Sequence, residues 1–445
     1  MEQGRLYVCL LCIVVCTLTA NGQDRKKEQG AASAELRGEL LRLKSSLDSL
    51  YQRISDLDSA RDADVDNLEA QLERRARELE NKIDAVSRAT APTVLNPRMT
   101  AFINFAARAD NQTQFDASGL HEISNRFFLR TAEMELRNAV DPYAEAILVM
   151  SVENEAGKDF SIDAEEAYGL IKQLPLLEHA PLGLKLKIGK FRAPFGVNNK
   201  IHMHDLPWTT RPLIVSRFLG TDHGEFFESG FNPTGIDADF FLPNPIPQTT
   251  LEMNLDVVRA GELGLANGIS GLQPAYISHL TLSRDWNNEH LLILGASGYT
   301  EEHPSPARLA GVDLTYKWAP AEQRESHSLV AGGEAFFGRN MIPDSARIFH
   351  TNFPYGWYAY LQVQTSYWLY LGLKFDWLRE PIDAKLLTRN AALYASYYTT
   401  EFLRFRLGLE HRWSMIPSYD KTTTGIFEVN FVFGSHPTEP YWVNR

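Results

Sequence analysis

Gly425–Gly434 reads GIFEVNFVFG. On an extended chain successive side chains point to opposite faces. Phe427, Val429, Phe431 and Phe433 therefore share one face, and Glu428 and Asn430 share the other. The same alternation recurs upstream. FLRFRLGLEHR sets Leu403, Phe405, Leu407 and Leu409 opposite Arg404, Arg406 and Glu410. TLEMNLDVV sets Leu251, Met253, Leu255 and Val257 opposite Glu252, Asn254 and Asp256, and LYLGLKFDW sets Leu369, Leu371, Leu373, Phe375 and Trp377 opposite Tyr370, Lys374 and Asp376. A soluble sandwich would alternate too. Here charges stand in register behind bulky aromatics, many of them near strand ends, which is the dyad pattern of a lipid-facing barrel with aromatic girdles.

Connection lengths supply a second test. Sixteen strand segments begin near residues 98, 123, 143, 159, 183, 229, 249, 275, 289, 307, 326, 355, 367, 390, 402 and 424. After even-numbered strands the links are brief, as in VDP, DWNN and TTE; after odd-numbered ones they are long, as in RAGELGLANGISGLQP and FGRNMIPDSARIFHTNFP. Short turns alternating with long loops characterise outer-membrane barrels. KQLPLLEHAPL breaks the rule, being too long for a turn. The fold expected is an all-β transmembrane barrel of about 16 antiparallel strands over 97–445, preceded by an N-terminal α-helical coiled coil. An even strand count returns both chain ends to the periplasmic side.

The segment before residue 97 is unlike the rest. Leu6 to Ala20 is an apolar run behind Arg5, the size of a secretory h-region, so 1–22 reads as a signal peptide cut after Ala20 or Gly22. All three cysteines, Cys9, Cys12 and Cys16, lie inside it. The exported chain then has neither disulfides nor thiol chemistry. Across 31–90 the pattern is helical: Leu36, Leu40, Leu43, Leu47, Leu50, Ile54 and Leu57 step by fours and threes, and Leu57, Leu68 and Leu79 then repeat every eleven residues. Such a rod would reach about 87 Å. It reads as a periplasmic coiled coil, or else as an amphipathic helix lying on a membrane or folding back on the chain.

A net charge of −12 makes nucleic acid an unsuitable partner. No nucleophile elbow, phosphate loop or HExxH helix is present, so neither an enzyme nor a cofactor is expected.

The long link after the fifth strand, KFRAPFGVNNKIHMHDLPWTTRPLIVSRFLG (Lys190 to Gly220), is basic and apolar together. Phe191, Phe195, Trp208, Leu213, Ile214, Val215 and Phe218 favour packing against an inner wall, with an external Ω-loop as the alternative. Its backbone has no place in hydrocarbon. Folded inward over about 192–228, it would narrow a pore and place Lys185, Lys187, Lys190, Arg192, His202, His204, Asp205, Arg211 and Arg217 at the constriction. Lys374, Arg404, Arg406, Glu252 and Asp256 would line the pore, together with further inward acids. His202-Met203-His204-Asp205 has ligand-like spacing, since i and i+2 side chains point the same way on an extended segment, with Asp205 or His223 as a third ligand. Two histidines in a loop are weak grounds, and no metal is expected.

LKLKIGKFRAPFGVNNKIHMHDLP with RPLIVSRFLG, the GIDADFFLP strand after it, and RFFLRTAEMELRNAVDPY (Arg126 to Tyr143) resemble the phosphate-selective porins of the O and P type. The resemblance covers residues 98 to the end and is specific over 184–243 and 126–143. It implies a sixteen-stranded trimeric barrel whose third external loop enters the pore, and a ladder of basic groups that conducts phosphate. The basic residues here do not match that ladder one by one, so a mixed-charge porin passing small hydrophilic solutes or ions, anions such as phosphate among them, is the expectation. The partners expected are outer-membrane lipids, two further copies of the chain and, through the rod, peptidoglycan. A second reading makes the barrel an anchor and the rod a tether that spaces the membrane from the cell wall. Adhesins that join a coiled coil to a trimeric barrel supply only about four strands per chain, too few for a segment this long.

Overall fold

A strand that is polar on one face and apolar on the other must choose which face meets solvent, and here each strand solves this through its two neighbours. In the computed structural model the described residues are 38–49, 97–115, 122–154, 160–174, 180–220, 230–244, 246–266, 273–302, 306–344 and 347–434. The chain divides into two units, Met1–Thr93 and Val94–Arg445. In the first, residues 38–49 form a helix. The expected signal peptide, and the expected coiled coil outside 38–49, lie beyond the described residues.

The second unit begins with β1 (Arg98–Asp110). Short turns join β2 (Phe127–Ala139) to β3 (Ala144–Glu153) and β6 (Thr234–Phe241) to β7 (Thr249–Arg259). They also join β8 (Pro274–Trp286) to β9 (His290–Glu301) and β10 (Ala307–Trp318) to β11 (Ser328–Pro343). The last two pairs are β13 (Tyr355–Gln364) with β14 (Leu369–Arg379), and β15 (Leu387–Thr400) with β16 (Leu403–Ser414). At the β8–β9 turn Asn287 and Asn288 both take positive φ, 57° and 56°, a left-handed geometry asparagine tolerates, within the short link between paired Trp286 and His290. The opposite end carries the connections that lead into β4 (Ser161–Ile171), out of β5 (Lys185–Lys190) and into the last strand, β17 (Thr422–Gly434). The longer β4-to-β5 connection instead leaves from the short-turn end, where Ile171 pairs with Ala144.

Every strand pairs antiparallel with its neighbour, and β1 pairs with β17 from Thr100↔Gly434 to Asp110↔Thr424, which closes the ring. The four-residue β12 (Phe349–Asn352) pairs only with the end of β11 and stands outside the ring, because β11 also pairs directly with β13. The ring therefore has sixteen strands. Its strand starts follow those read from the alternation, and β12 is the element the sequence did not announce.

The polarity of the ring is inverted relative to a water-soluble protein. Leu255, Val257, Leu294, Val312, Leu314, Leu371, Leu373, Leu393, Leu407 and Leu409 are exposed on the outside, while Asn254, Asp256, Asp313, Lys374, Asp376, Arg404, Arg406 and Glu428 are buried within. An apolar exterior on this scale is what a hydrocarbon phase solvates and water does not. Aromatics gather toward both ends of the outer surface. Tyr143, Trp318, Trp368, Tyr397 and Phe433 are exposed near the short-turn end, and Tyr355, Trp357 and Trp413 near the long-loop end. The hydrophobic core lies inside the ring, where inward Tyr299, Tyr358, Tyr360, Tyr394 and Phe336 meet apolar residues of the β5–β6 connection.

Candidate functional site: the segment held across the lumen

Once β5 ends, Phe191 and Ala193 still pair with Phe231 and Pro233 on the return path, and between them the chain turns inward. Phe191, Phe195, Leu206, Trp208, Ile214, Val215, Phe218 and Leu219 are all buried. Their partners come from the inner faces of distant strands. Trp208 stacks edge-on against Tyr360 at 4.7 Å and Tyr358 at 5.8 Å, and Phe195 and Phe218 meet Phe336 at 5.2 and 6.1 Å. Glycines on the wall make room for the segment. A Cβ on Gly408 would lie 2.6 Å from the Thr209 side chain, and one on Gly311 3.0 Å from Phe195.

Polar groups of the wall then fix the segment's backbone. Arg406 donates to the carbonyls of Trp208 at 2.7 Å and Leu206 at 2.6 Å, and Lys374 donates to that of Thr210 at 3.1 Å. Arg130 on β2 reaches the Thr209 carbonyl and the Met203 sulfur. Asp376 accepts from Leu213 N at 3.0 Å, Glu334 from Asn198 N at 2.8 Å, and Ser297 Oγ from Gly196 N at 2.9 Å. These contacts involve β2, β9, β11, β14 and β16, so the segment crosses the lumen rather than covering its mouth. A non-repetitive segment buried this way needs each of its polar backbone groups satisfied, and the charged wall residues supply that.

The sequence-predicted residues separate into groups. Lys374, Arg404 and Arg406 point inward, as the alternation predicts, yet all are buried: Lys374 pairs with Asp376 at 3.2 Å, and Arg404 and Arg406 with Glu428 at 2.7 and 3.4 Å. The strand pattern gives the face, not what covers it: Lys374 and Arg406 clamp the segment and Arg404 is taken up by Glu428, instead of lining open water. Arg211 donates to the carbonyls of Asn198 at 3.0 Å and Ile201 at 2.9 Å, knitting the segment to itself. Arg192 lies 3.6 and 3.9 Å from Glu165 and Glu166 of β4. Arg217 lies over the Tyr419 ring at 5.5 Å, in the β16–β17 connection, and Lys190 donates to the Ala164 carbonyl of β4. Lys185 is exposed, and Lys187 is half-buried, 3.4 Å from Asp237.

Asp256 is buried opposite Asp237, and neither of its carboxylate oxygens has a hydrogen-bond partner. Glu252 is half-buried on the same strand face. Asp313 and Glu334, directly opposite one another on β10 and β11, extend this acidic wall. A Cβ on Gly295 would lie 2.0 Å from Asp313 Oδ2, so glycine there is what gives the carboxylate its place. Toward the short-turn end the inner wall keeps half-buried polar groups, among them Glu135, Arg137, Glu252 and Lys317.

The two histidines meet a residue that sequence reasoning missed. His202 Nδ1 is 3.1 Å from Glu133 Oε1 and its Nε2 is 2.9 Å from Glu166 Oε1; His204 Nδ1 is 3.4 Å from Glu133 Oε2 and its Nε2 is 3.5 Å from Asp205 Oδ2. Phe102 stacks on the His204 ring at 3.7 Å. Burial favours the neutral imidazoles, but the carboxylates outweigh it: Glu133 and Glu166 hold His202 well above the ordinary histidine range, and Asp205 with Glu133 pushes His204 up to about 9. Burial would raise the Asp205 carboxyl, yet His204 holds it below its usual value. Glu133 stands on β2 within the block that resembles a porin strand; its inward position was legible there, but its meeting with a loop far downstream was not.

No family model matches the chain. An uncharacterised protein of Aquifex aeolicus (strain VF5) is 25% identical, over 71% of this chain and 70% of its own length. Among solved structures, the anion-selective porin from Comamonas acidovorans aligns over 76% of this chain and 99% of its own, with 9% identity and a TM-score of 0.49. Salmonella typhi OmpF in complex with daunomycin aligns over 76% and 98%, with 9% identity and a TM-score of 0.48. The outer membrane channel DcaP of Acinetobacter baumannii aligns over 77% and 99%, with 9% identity and a TM-score of 0.45.

Proposed function

We propose that the chain is an outer-membrane channel of porin type, through which small hydrophilic solutes and ions diffuse past the segment held across its lumen. The observation that carries this reading is the inverted polarity of a closed ring: aliphatic outside, charged inside. A closed barrel leaves no unpaired strand edge for the bilayer to solvate, and a wall of ionisable groups has no purpose in a sealed apolar core. Three copies of the chain form the unit, and the segment before the barrel stands in the periplasm.

Selectivity follows from which groups remain open to water. Lys185, Lys187, Arg137 and Lys317 keep some exposure, as do Asp239, Glu252 and Glu135, whereas Asp237, Asp256 and Asp313 are buried. The arginines that a phosphate ladder would require are engaged by carbonyls and carboxylates. The channel therefore discriminates weakly between anions and cations. Proteoliposome swelling with sugars of graded size tests the passage. Swelling that declines with solute size supports it, and liposomes that exclude even the smallest sugar while holding folded barrel refute it.

The number of wall contacts devoted to holding the segment favours a second reading, an anchor whose N-terminal region spaces the membrane from peptidoglycan.

A further inference from the structure

The Glu133, His202 and His204 cluster is more than a set of ion pairs. Among the described residues it is the one group of three or more potential metal ligands whose donor atoms all lie within 4.8 Å of one another. His202 Nδ1 stands 3.1 Å from Glu133 Oε1 and His204 Nδ1 stands 3.4 Å from Oε2 of the same carboxylate, so each imidazole lies near ligand-to-ligand distance from one carboxylate oxygen. Ligands at about 2.0–2.1 Å from zinc stand about 3.3–3.4 Å apart.

Three further observations point the same way. First, His202 Nδ1, His204 Nδ1 and Glu133 Oε2 are buried and have no polar partner outside this cluster. Buried polar atoms left in that state are uncommon and call for an explanation. Second, the outer nitrogen of each imidazole faces its own carboxylate: His202 Nε2 faces Glu166 and His204 Nε2 faces Asp205. That is the arrangement which fixes ring orientation and, once an ion displaces the Nδ1 proton, keeps the remaining proton on Nε2 so that Nδ1 is the ligand. Third, stacking on Phe102 holds the His204 ring, so part of the geometry is set before any ion arrives.

We propose that Glu133, His202 and His204 bind one divalent transition-metal ion of the zinc class, with water as the fourth ligand. Two imidazoles and a carboxylate suit zinc and its neighbours and are a poor set for calcium or magnesium, which prefer all-oxygen shells. The dication offsets the carboxylates crowded around the histidines. It also ties the lumen segment, through His202 and His204, to the barrel wall at β2, a metal staple on an element otherwise held by hydrogen bonds. The site stands apart from the channel reading, and its test does not depend on conductance.

The test uses the full-length mature chain without an affinity tag, folded in detergent and stripped with chelator, then titrated with Zn2+ and separately with Co2+. One Zn2+ should bind per chain, and bound Co2+ should show the intense visible absorption of four-coordination. His202→Ala, His204→Ala and Glu133→Gln should each abolish that binding. Glu166→Gln and Asp205→Asn should weaken it about tenfold to a hundredfold. His350→Ala, at an exposed histidine paired with Asp344, should leave it unchanged. The proposal is overturned if the wild-type chain binds no more Zn2+ than the detergent blank, or if the three ligand variants bind as well as wild type. Should those variants fail to fold, X-ray absorption on the Zn2+-loaded wild-type barrel decides: two imidazoles in the shell support the site, and a shell without imidazole refutes it.

Discussion

Replacing Arg406 with methionine should free the segment that crosses the lumen. The arginine makes two charge-assisted hydrogen bonds to that segment, to the carbonyls of Trp208 and Leu206, and holds Ser396 Oγ at 2.9 Å on its own wall. Methionine retains most of the packing volume and removes all three. A hydrogen bond to a charged group contributes about 1.5–3 kcal/mol, so the two to the segment amount to about 3–6 kcal/mol of anchoring. Glu428 keeps Arg130 at 2.9 Å and Arg404 at 2.7 Å, so the variant does not strand a lone buried charge and the ring should still close. The loss falls on the segment alone. Limited proteolysis of folded, detergent-solubilised barrel is the assay. At constant protease the cleavage rate tracks the open population, and even the lower figure corresponds to about a hundredfold faster cutting within 191–220. Conductance should rise in parallel, because an undocked segment obstructs less of the lumen. Unchanged cleavage and conductance in a variant that still shows the heat-modifiable mobility of a folded barrel would refute the argument that the wall arginines hold the segment in place.

Other perturbations follow from the same geometry. Gly408→Val should displace Thr209, 2.6 Å from the added Cβ, and give a weaker version of the same phenotype, read by the same protease. Leu407→Arg puts a charge in the middle of an outward strand face at a side chain 62% exposed, and should destabilise the barrel in lipid by about 2–4 kcal/mol; equal unfolding midpoints in vesicles would mean that face does not meet hydrocarbon. Lys187→Glu removes the cation opposite Asp237 and should move the reversal potential in a salt gradient toward cations, whereas an unchanged potential would place Lys187 off the ion path. Deleting residues 31–88 should leave conductance intact; if envelope integrity then fails while the channel works, tethering is a principal role of the chain.

Much of the ring was legible because a lipid-facing strand writes its environment into every second residue. Phe427, Val429, Phe431 and Phe433 had to face one way and Glu428 the other, whatever the neighbours. The apolar residues of the long connection marked it as a packing element for the same reason: Trp208 and Phe218 in a loop need a surface to bury against. Alternation says which wall a side chain stands on, though, and not what lies over it. Arg404 and Arg406 read as pore lining from their strand and are found buried against Glu428, with Arg406 bound also to the carbonyls of Leu206 and Trp208. The partner of His202 and His204 was beyond reach for a related reason. Glu133 shares no local pattern with them, and only the closure of the ring and the inward turn of the chain bring β2 to that loop. The short β12 escaped because it extends a hairpin outside the ring, where neither face is set by lipid.

Single-channel recording in a planar bilayer tests the central claim most directly. Purified, folded protein should insert with discrete, ohmic conductance steps whose size scales with electrolyte concentration, as a water-filled lumen requires. A barrel that inserts fully, shown by protection of its strands from protease, yet leaves the bilayer electrically silent would contradict it.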